Sequence, residues 1–418
     1  MNPLHQLINN IYDTLIGKIP GDDETLVKMH TRHLEELGEL SFPLPMKNWY
    51  NLAGNLIDNQ QSVTIFSCEM QEDDIDTALV KFKSSFNDKT KIRICKVIRT
   101  SVHLFLERPS LFNCGIRIAL NEADSYGKWA IFSKCIKIDT NLDISNVEDL
   151  DLTTLRLSII KKTLDNFLEL TTDMQSNEIL HVNLSHNSGH NNNILCGPVT
   201  NNQGTKDTTN KAIDIFNKRI SDMRLMAQHR YRLNIKSASE WQDFFNRLGR
   251  ASVTIELLSN KPHKSIKIAL NDLSGVNKGA AFIFYNCARL TILLKEFNSK
   301  SNKGIYPGLP NLDNIDFSLL DQPEEWELLY VYILQYPFVV KNCVRSIEKG
   351  IVNPQNLVTF LSSISSVFSV YYRRVRILTE PRDHMFGLVF ARIYLLKALQ
   401  VVFYNALRLL NIEPVSEM

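Results

Sequence analysis

The sequence predicts an α+β N-terminal part followed by an all-α helical bundle, and three observations carry that expectation. Between Ser62 and Asp139 short apolar runs alternate with polar residues at the two-residue period of strands. After Trp241 the apolar period lengthens to that of helices. Residues 173 to 210, rich in Asn, Ser, Thr and Gly, lie between the two regimes. At 418 residues the chain exceeds one typical core, so two or three domains of about 150 residues are expected. The expected boundaries are 1–150 for a small α+β domain, 151–235 for a connecting part with the Asn-rich loop, and 236–418 for the helical domain.

Taken in order, residues 1 to about 60 read as short helices punctuated by Pro and Gly, a surface-like segment containing His30-Thr-Arg-His33. Strand-type runs follow at Val63–Phe66, Lys91–Ile98, Val102–Leu106 and Trp129–Phe132, with a helix over Asp76–Phe86 among them. Leu155, Leu157, Ile160, Leu164, Phe167 and Leu168 form one helical stripe. Further helices are expected over Gly279–Phe297 and Pro323–Ser346. Another runs from Asn353-Pro354, where Asn can cap and Pro takes the first helical position, to Val375. The clearest is His384–Leu410. Its Leu395, Leu396, Leu399, Val402, Phe403, Ala406, Leu407 and Leu410 share one face, and Asn411 stands where a helix often turns left-handed. Four or so such helices with short connections make a bundle.

Hydrophobic residues at 44% and charged residues at 22% are ordinary for a globular chain and exclude fibrous and linker classes. No apolar run reaches ~18 residues and the N-terminus lacks a signal-like pattern, so an intracellular, cytoplasmic protein is expected. Seven cysteines without a Cys-x-x-Cys pair suit reduced core thiols. The formal charge of +2 is uneven: residues 1–240 hold 27 Lys+Arg and 30 Asp+Glu, and 241–418 hold 20 and 15. A mildly basic C-terminal half permits a polyanionic partner without requiring one.

No phosphate-cradling Gly-x-x-x-x-Gly-Lys-Ser/Thr or Gly-x-Gly-x-x-Gly loop is present, which removes support for nucleotide hydrolysis and dinucleotide redox chemistry. No nucleophile elbow or His-Glu-x-x-His occurs either. His181, His186, His190 and Cys196 offer zinc-type ligands, but their spacing matches no zinc module, so neither metal nor cofactor is expected. What does stand out is Tyr371-Tyr-Arg-Arg-Val-Arg376, followed by Arg382 and His384. Aromatic faces and guanidinium planes suit unstacked RNA bases, while the guanidinium fork suits phosphate. On a helix some of these residues serve equally as core, Tyr372 and Val375 being expected there, and others as solvated face, Arg373 and Arg374.

The C-terminal third also resembles the DALR anticodon-binding domain of arginyl-tRNA synthetases. The matching pieces run in order: Phe284-Tyr-Asn-Cys-Ala-Arg-Leu290, Glu327-Leu-Leu with Tyr336-Pro-Phe-Val-Val340, Pro354-Gln-Asn-Leu357 with Phe360-Leu361, Phe368 with Tyr371-Tyr372 and Val375, and Ala391-Arg392 leading into the last helix. Upstream the chain departs from a working synthetase, having neither the His-x-Gly-His signature nor the Lys-Met-Ser-Lys-Ser loop that hold ATP. His186-Asn-Ser-Gly-His190 has an extra residue, and the expected domain 151–235, through residues 178–220, is similar to an eroded remnant of the synthetase catalytic domain. Leu106 to Gly115 is faintly similar to the synthetase's N-terminal tRNA-elbow domain. Lys28-Met-His-Thr-Arg-His-Leu34, Leu195-Cys-Gly-Pro-Val199 and Leu319-Leu-Asp321 extend the likeness to noncatalytic DALR-domain relatives of the synthetase.

That resemblance implies a noncatalytic adaptor that binds the anticodon stem-loop of arginine tRNA and delivers it to a methyltransferase forming 3-methylcytidine. RNA contacts are then expected at Tyr285, Arg289, Tyr371, Tyr372, Arg373, Arg374, Arg376, Arg382 and Arg392. Arg392 shares a face with Leu396, Leu399 and Phe403, so anchoring at the bundle seam is expected of it too, whereas Arg382 should be exposed. The competing readings are a divergent, ATP-dependent arginine–tRNA ligase and a protein-interaction scaffold without RNA binding.

Overall fold

The computed structural model describes residues 2–21, 25–53, 64–67, 74–86, 91–172, 178–187, 192–231, 239–270 and 275–416. Backbone packing divides the chain into two compact units that interleave along the sequence. The first comprises Met1–Asn121, Leu309–Gln335 and Arg382–Leu395; the second comprises Glu122–Gly308, Tyr336–Pro381 and Leu396–Met418. These edges differ from the consecutive boundaries expected at 150 and 235. The reason is that segments distant in sequence complete each core, as the first unit shows.

That unit opens with helix α1, Pro3–Ile16. Asn2 caps it by accepting from the Leu4 and His5 amides, Pro3 takes the first helical position, and Gly17 ends it at φ +61°. Leu4, Leu7, Ile11 and Leu15 are fully buried at helical spacing. The segment expected to be surface-like is therefore core, because its short apolar stripe packs inward. It also supplies two strands, β1 (Lys28–Met29) and β2 (Leu40–Pro43). After α2 (Ile75–Ser84), the hairpin strands β3 (Ile92–Ile98) and β4 (Ser101–Leu106) join them in an antiparallel sheet ordered β1-β2-β4-β3, followed by α3 (Arg108–Glu122). The run expected as a strand at Val63–Phe66 is instead a 3₁₀ turn over Ile65–Ser67, with Val63 outside the described residues.

Segment 309–335 closes this unit. The buried Glu39 carboxylate accepts from Trp326 Nε1 at 2.9 Å and from the Leu106 amide at 2.7 Å, while Tyr330 Oη donates to the Glu39 carbonyl at 2.5 Å. Burial pushes the Glu39 carboxyl up despite these donors. Gly115 on α3 allows close approach, since a Cβ there would lie 2.7 Å from Leu334 Cδ2. The single helix expected over Pro323–Ser346 is three pieces: an α-helix over Pro323–Glu327, a π-helical turn over Leu328–Ile333, and a further helix from Tyr336.

The second unit contains β5 (Cys135–Asp139), α4 (Leu152–Thr171), β6 (Ile179–Ser185) and β7 (Asn193–Leu195), with the strands forming a parallel sheet ordered β5-β6-β7. Strand β8 (Val199–Thr200) pairs with β9 (Ile266–Lys267), also parallel. Thus part of 173–210, expected to be the weakest-structured segment, is sheet; 173–177 and 188–191 lie outside the described residues. Trp129–Phe132 is not a strand, and only Phe132 makes an isolated bridge, to Thr172. Helices α5 (Ala212–Tyr231) and α6 (Ser239–Leu257) pack together across a buried bidentate pair, Arg219 to Glu256 at 2.8 Å for both bonds, with Asp222 at 3.1 Å. Arg156 of α4, fully buried, donates to the carbonyls of Gly197, Leu257, Lys261 and Lys264.

Four further helices follow: α7 (Gly275–Asn302), α8 (Tyr336–Val344), α9 (Gln355–Arg374) and α10 (Asp383–Leu409), the last running from the first unit into the second. On length and composition α10 could cross a membrane, yet the eight residues of its predicted stripe are all buried within the protein. Asn411 follows at φ +57°, the left-handed stop expected there. The described cysteines are free thiols, and burial pushes Cys95, Cys287 and Cys343 up to about 12.

Candidate nucleic-acid interface

Helices α7 and α9 place most of the expected RNA contacts on one surface of the second unit. On α9, Leu357, Leu361, Ile364, Phe368 and Tyr371 recur at steps of three and four and are all buried. Tyr372, one position on and so about 100° around the helix, is 40% exposed. On α7, Tyr285 and Arg289 are one turn apart and share a face. The Arg289 guanidinium lies 4.2 Å from the centre of the Tyr285 ring and 4.5 Å from that of Tyr372, held between two aromatic faces. It also donates to the Tyr285 hydroxyl. Each such contact at a partly exposed site is worth about 0.5–1 kcal/mol, so the two together fix the side chain without burying its charge.

A groove of about 420 Å³ lies beside this arrangement, lined by Phe282, Tyr285, Arg289, Ser366, Ser369, Val370 and Arg373. It offers the apolar side chains Phe282 and Val370, two serine hydroxyls, the Tyr285 ring and two guanidinium groups. Arg373 is exposed and its Nε donates to the Ser369 carbonyl at 3.3 Å. Arg374 and Arg376 are exposed next to it, Arg376 lying 3.7 Å from Glu380. Positive charge gathered at the C-terminal end of α9 is favoured by the helix dipole and adds to the local potential. Such a surface can stack an unpaired base and pair with a phosphate.

Two of the residues expected to contact RNA are not presented on this surface. The Tyr371 ring is fully buried and cannot stack on a base. Arg392 is 6% exposed, and its Nε donates to Glu325 Oε1 at 2.8 Å, the Glu325 side chain being fully buried. It anchors the first unit instead, in the seam role its position on α10 predicts. Arg382 is exposed, as expected of its loop, and belongs to the first unit. The residues that sequence reasoning missed are Phe282, Ser366, Ser369 and Val370. Their only signal is helical spacing from Tyr285 and Arg373.

The histidines considered for zinc do not converge among the described residues, which hold no group of three metal-type ligands. His181 Nδ1 pairs with Asp139 at 2.6 Å across adjacent parallel strands, and His186 Nδ1 meets the Cys196 carbonyl at 3.3 Å. His190 lies outside the described residues. Burial pushes the Cys196 thiol up to about 11.

Residues 283–418 match the family model of the DALR anticodon binding domain. The chain is 30% identical over 235 residues to DALR anticodon-binding domain-containing protein 3 of Danio rerio, covering 54% of this chain and 41% of that protein. With the protein of the same name from Rattus norvegicus it shares 32% over 230 residues, covering 54% and 43%. The chain thus spans less than half the length of these relatives. An arginyl-tRNA synthetase structure from Plasmodium falciparum superimposes with a TM-score of 0.58 at 10% identity, covering 100% of both chains, and shows the fold to be synthetase-like.

Proposed function

We propose that this chain is a noncatalytic, cytoplasmic tRNA-binding adaptor that presents the α7/α9 groove to the anticodon stem-loop of arginine tRNA. The observation that carries the reading is the Arg289 guanidinium held between Tyr285 and Tyr372 on an anticodon-binding-type domain. Unstacked loop bases lie on Tyr372, and Arg373, Arg374 and Arg376 meet the flanking phosphates. The absence of both ATP-holding synthetase signatures supports a role in delivery rather than aminoacylation. In this reading the bound tRNA is handed to a partner methyltransferase that methylates N3 of an anticodon-loop cytidine.

The test combines three measurements on the purified full chain. It should bind arginine tRNA in preference to other tRNAs, show no ATP- and arginine-dependent charging, and raise 3-methylcytidine formation when added to a tRNA 3-methylcytidine methyltransferase. Charging activity would support the arginine–tRNA ligase reading, which the synthetase-like fold keeps as the second one. Absence of tRNA binding would leave the scaffold reading.

A further inference from the structure

A second pocket in the second unit uses none of the residues assigned to RNA. It lies between α4, α5, α6 and the segment 410–416, and holds about 360 Å³. That is near the small end of the ~300–1,000 Å³ range of ligand sites. Its floor is apolar: Leu155 and Phe216 belong to the buried core, and Leu248, Ile412 and Val415 close over them. Its lip is cationic, carrying Lys162, Arg247 and Arg250. These charges converge for reasons of helix geometry. Lys162 stands two turns beyond Leu155 on α4, and Arg247 and Arg250 are one turn apart on α6.

The lip already grips a carboxylate. Arg247 Nη1 holds Glu413 at 2.8 Å, and the two side chains are 63% and 74% exposed. Arg250 lies 4.5 Å over the Phe216 ring, which aims its guanidinium at the pocket while it pairs with Glu148. An exposed ion pair contributes little and exchanges readily. An outside carboxylate that also fills the apolar floor therefore has the advantage over Glu413, since each buried methylene adds to its binding.

We propose that this pocket binds an amphipathic carboxylate, its apolar body seated between α4, α6 and residues 410–416 and its charge on Lys162, Arg247 and Arg250. Octanoate, 1-octanol and octylammonium share one tail and differ in head charge, so titrating each into the full chain by calorimetry tests the assignment. Octanoate should bind about tenfold more tightly than 1-octanol, with octylammonium weakest. Glu413→Gln removes the carboxylate that competes for Arg247, leaving Glu148 on Arg250, and should tighten octanoate by about threefold, the scale of one exposed ion pair, with 1-octanol unchanged. Ala251→Phe should fill the pocket and abolish binding of both. Because a filled core can misfold, Lys162→Glu on an exposed position reads the same site: octanoate weakens and 1-octanol does not. Equal affinity for the three ligands, no octanoate binding, or an octanoate affinity indifferent to both Glu413→Gln and Lys162→Glu would overturn the proposal.

Discussion

Tyr371 and Tyr372 are neighbours in sequence and opposites in role, because one step along a helix turns a side chain from the core to the surface. Tyr372→Ala removes a stacking face and should weaken binding of an arginine tRNA anticodon stem-loop by about 1–3 kcal/mol. Thermal unfolding of that variant should change by at most about 1 kcal/mol, the scale of one partly exposed cation–π contact. Tyr371→Ala should do the reverse, costing about 3–5 kcal/mol of stability as a buried aromatic ring is deleted. If Tyr372→Ala binds RNA like the parent, the exposed Tyr372 ring is not a base platform. At the same scale, His30 gives a pH signature. Its ring stacks on His103 at 5.5 Å and accepts or donates at Ser41 Oγ, 2.9 Å away. Desolvation, then the charges of His103 and Lys28, hold it below its usual 6.5. The unfolded chain therefore binds this proton more readily than the folded one, and stability is lost as pH falls below about 6.5. Melting temperatures followed from neutral to mildly acid pH should fall less steeply in His30→Gln than in the parent.

Legibility in the sequence differed by element for physical reasons. Helix α10 was readable almost to its last residue, since its stripe is long and Asn411 supplies the left-handed stop. The Pro323–Ser346 segment kept its apolar character but not its continuity, because a π-helical turn over Leu328–Ile333 shifts the register without changing composition. Strands β7 and β8 escaped notice because they are two or three residues long, and the seven-residue β6 because it adjoins an Asn-rich stretch that mimics a loop. The Arg289–Tyr372 contact joins two helices, and only the helical periods within each were visible in advance. An element-scale prediction follows from the Arg392–Glu325 pair, which ties α10 to the short helix Pro323–Glu327. Arg392→Ala leaves the Glu325 carboxylate buried without its guanidinium and should cost about 3–5 kcal/mol in thermal unfolding. Arg382→Ala, at an exposed position, should stay within about 0.5 kcal/mol. Equal melting temperatures for the two variants would show that the pair does not hold these elements together.

For the whole molecule, a net charge of +2 is too small to draw a polyanion by itself, so any tRNA affinity must come from where the charge is concentrated. Arg373, Arg374 and Arg376 supply three exposed guanidinium groups within one helix end, beside the groove. The cluster was legible because it is contiguous in sequence. The two interleaved units were not, since nothing local announces that residues 309–335 and 382–395 complete a core begun by residues 1–121. Binding at the cluster should release condensed counterions, so affinity for arginine tRNA should fall steeply between about 50 and 200 mM salt. Each phosphate contact adds about 0.7 to the slope of log K against log salt on single-stranded RNA. Replacing all three arginines should therefore lower the slope by at most about 2, and by less if Glu380 already holds Arg376. Titrations at several salt concentrations, with melting temperatures to confirm folding, measure this directly. A folded triple variant with the parent's slope would show that the C-terminal end of α9 does not face the RNA, leaving Arg289 and its two tyrosines without flanking phosphate contacts.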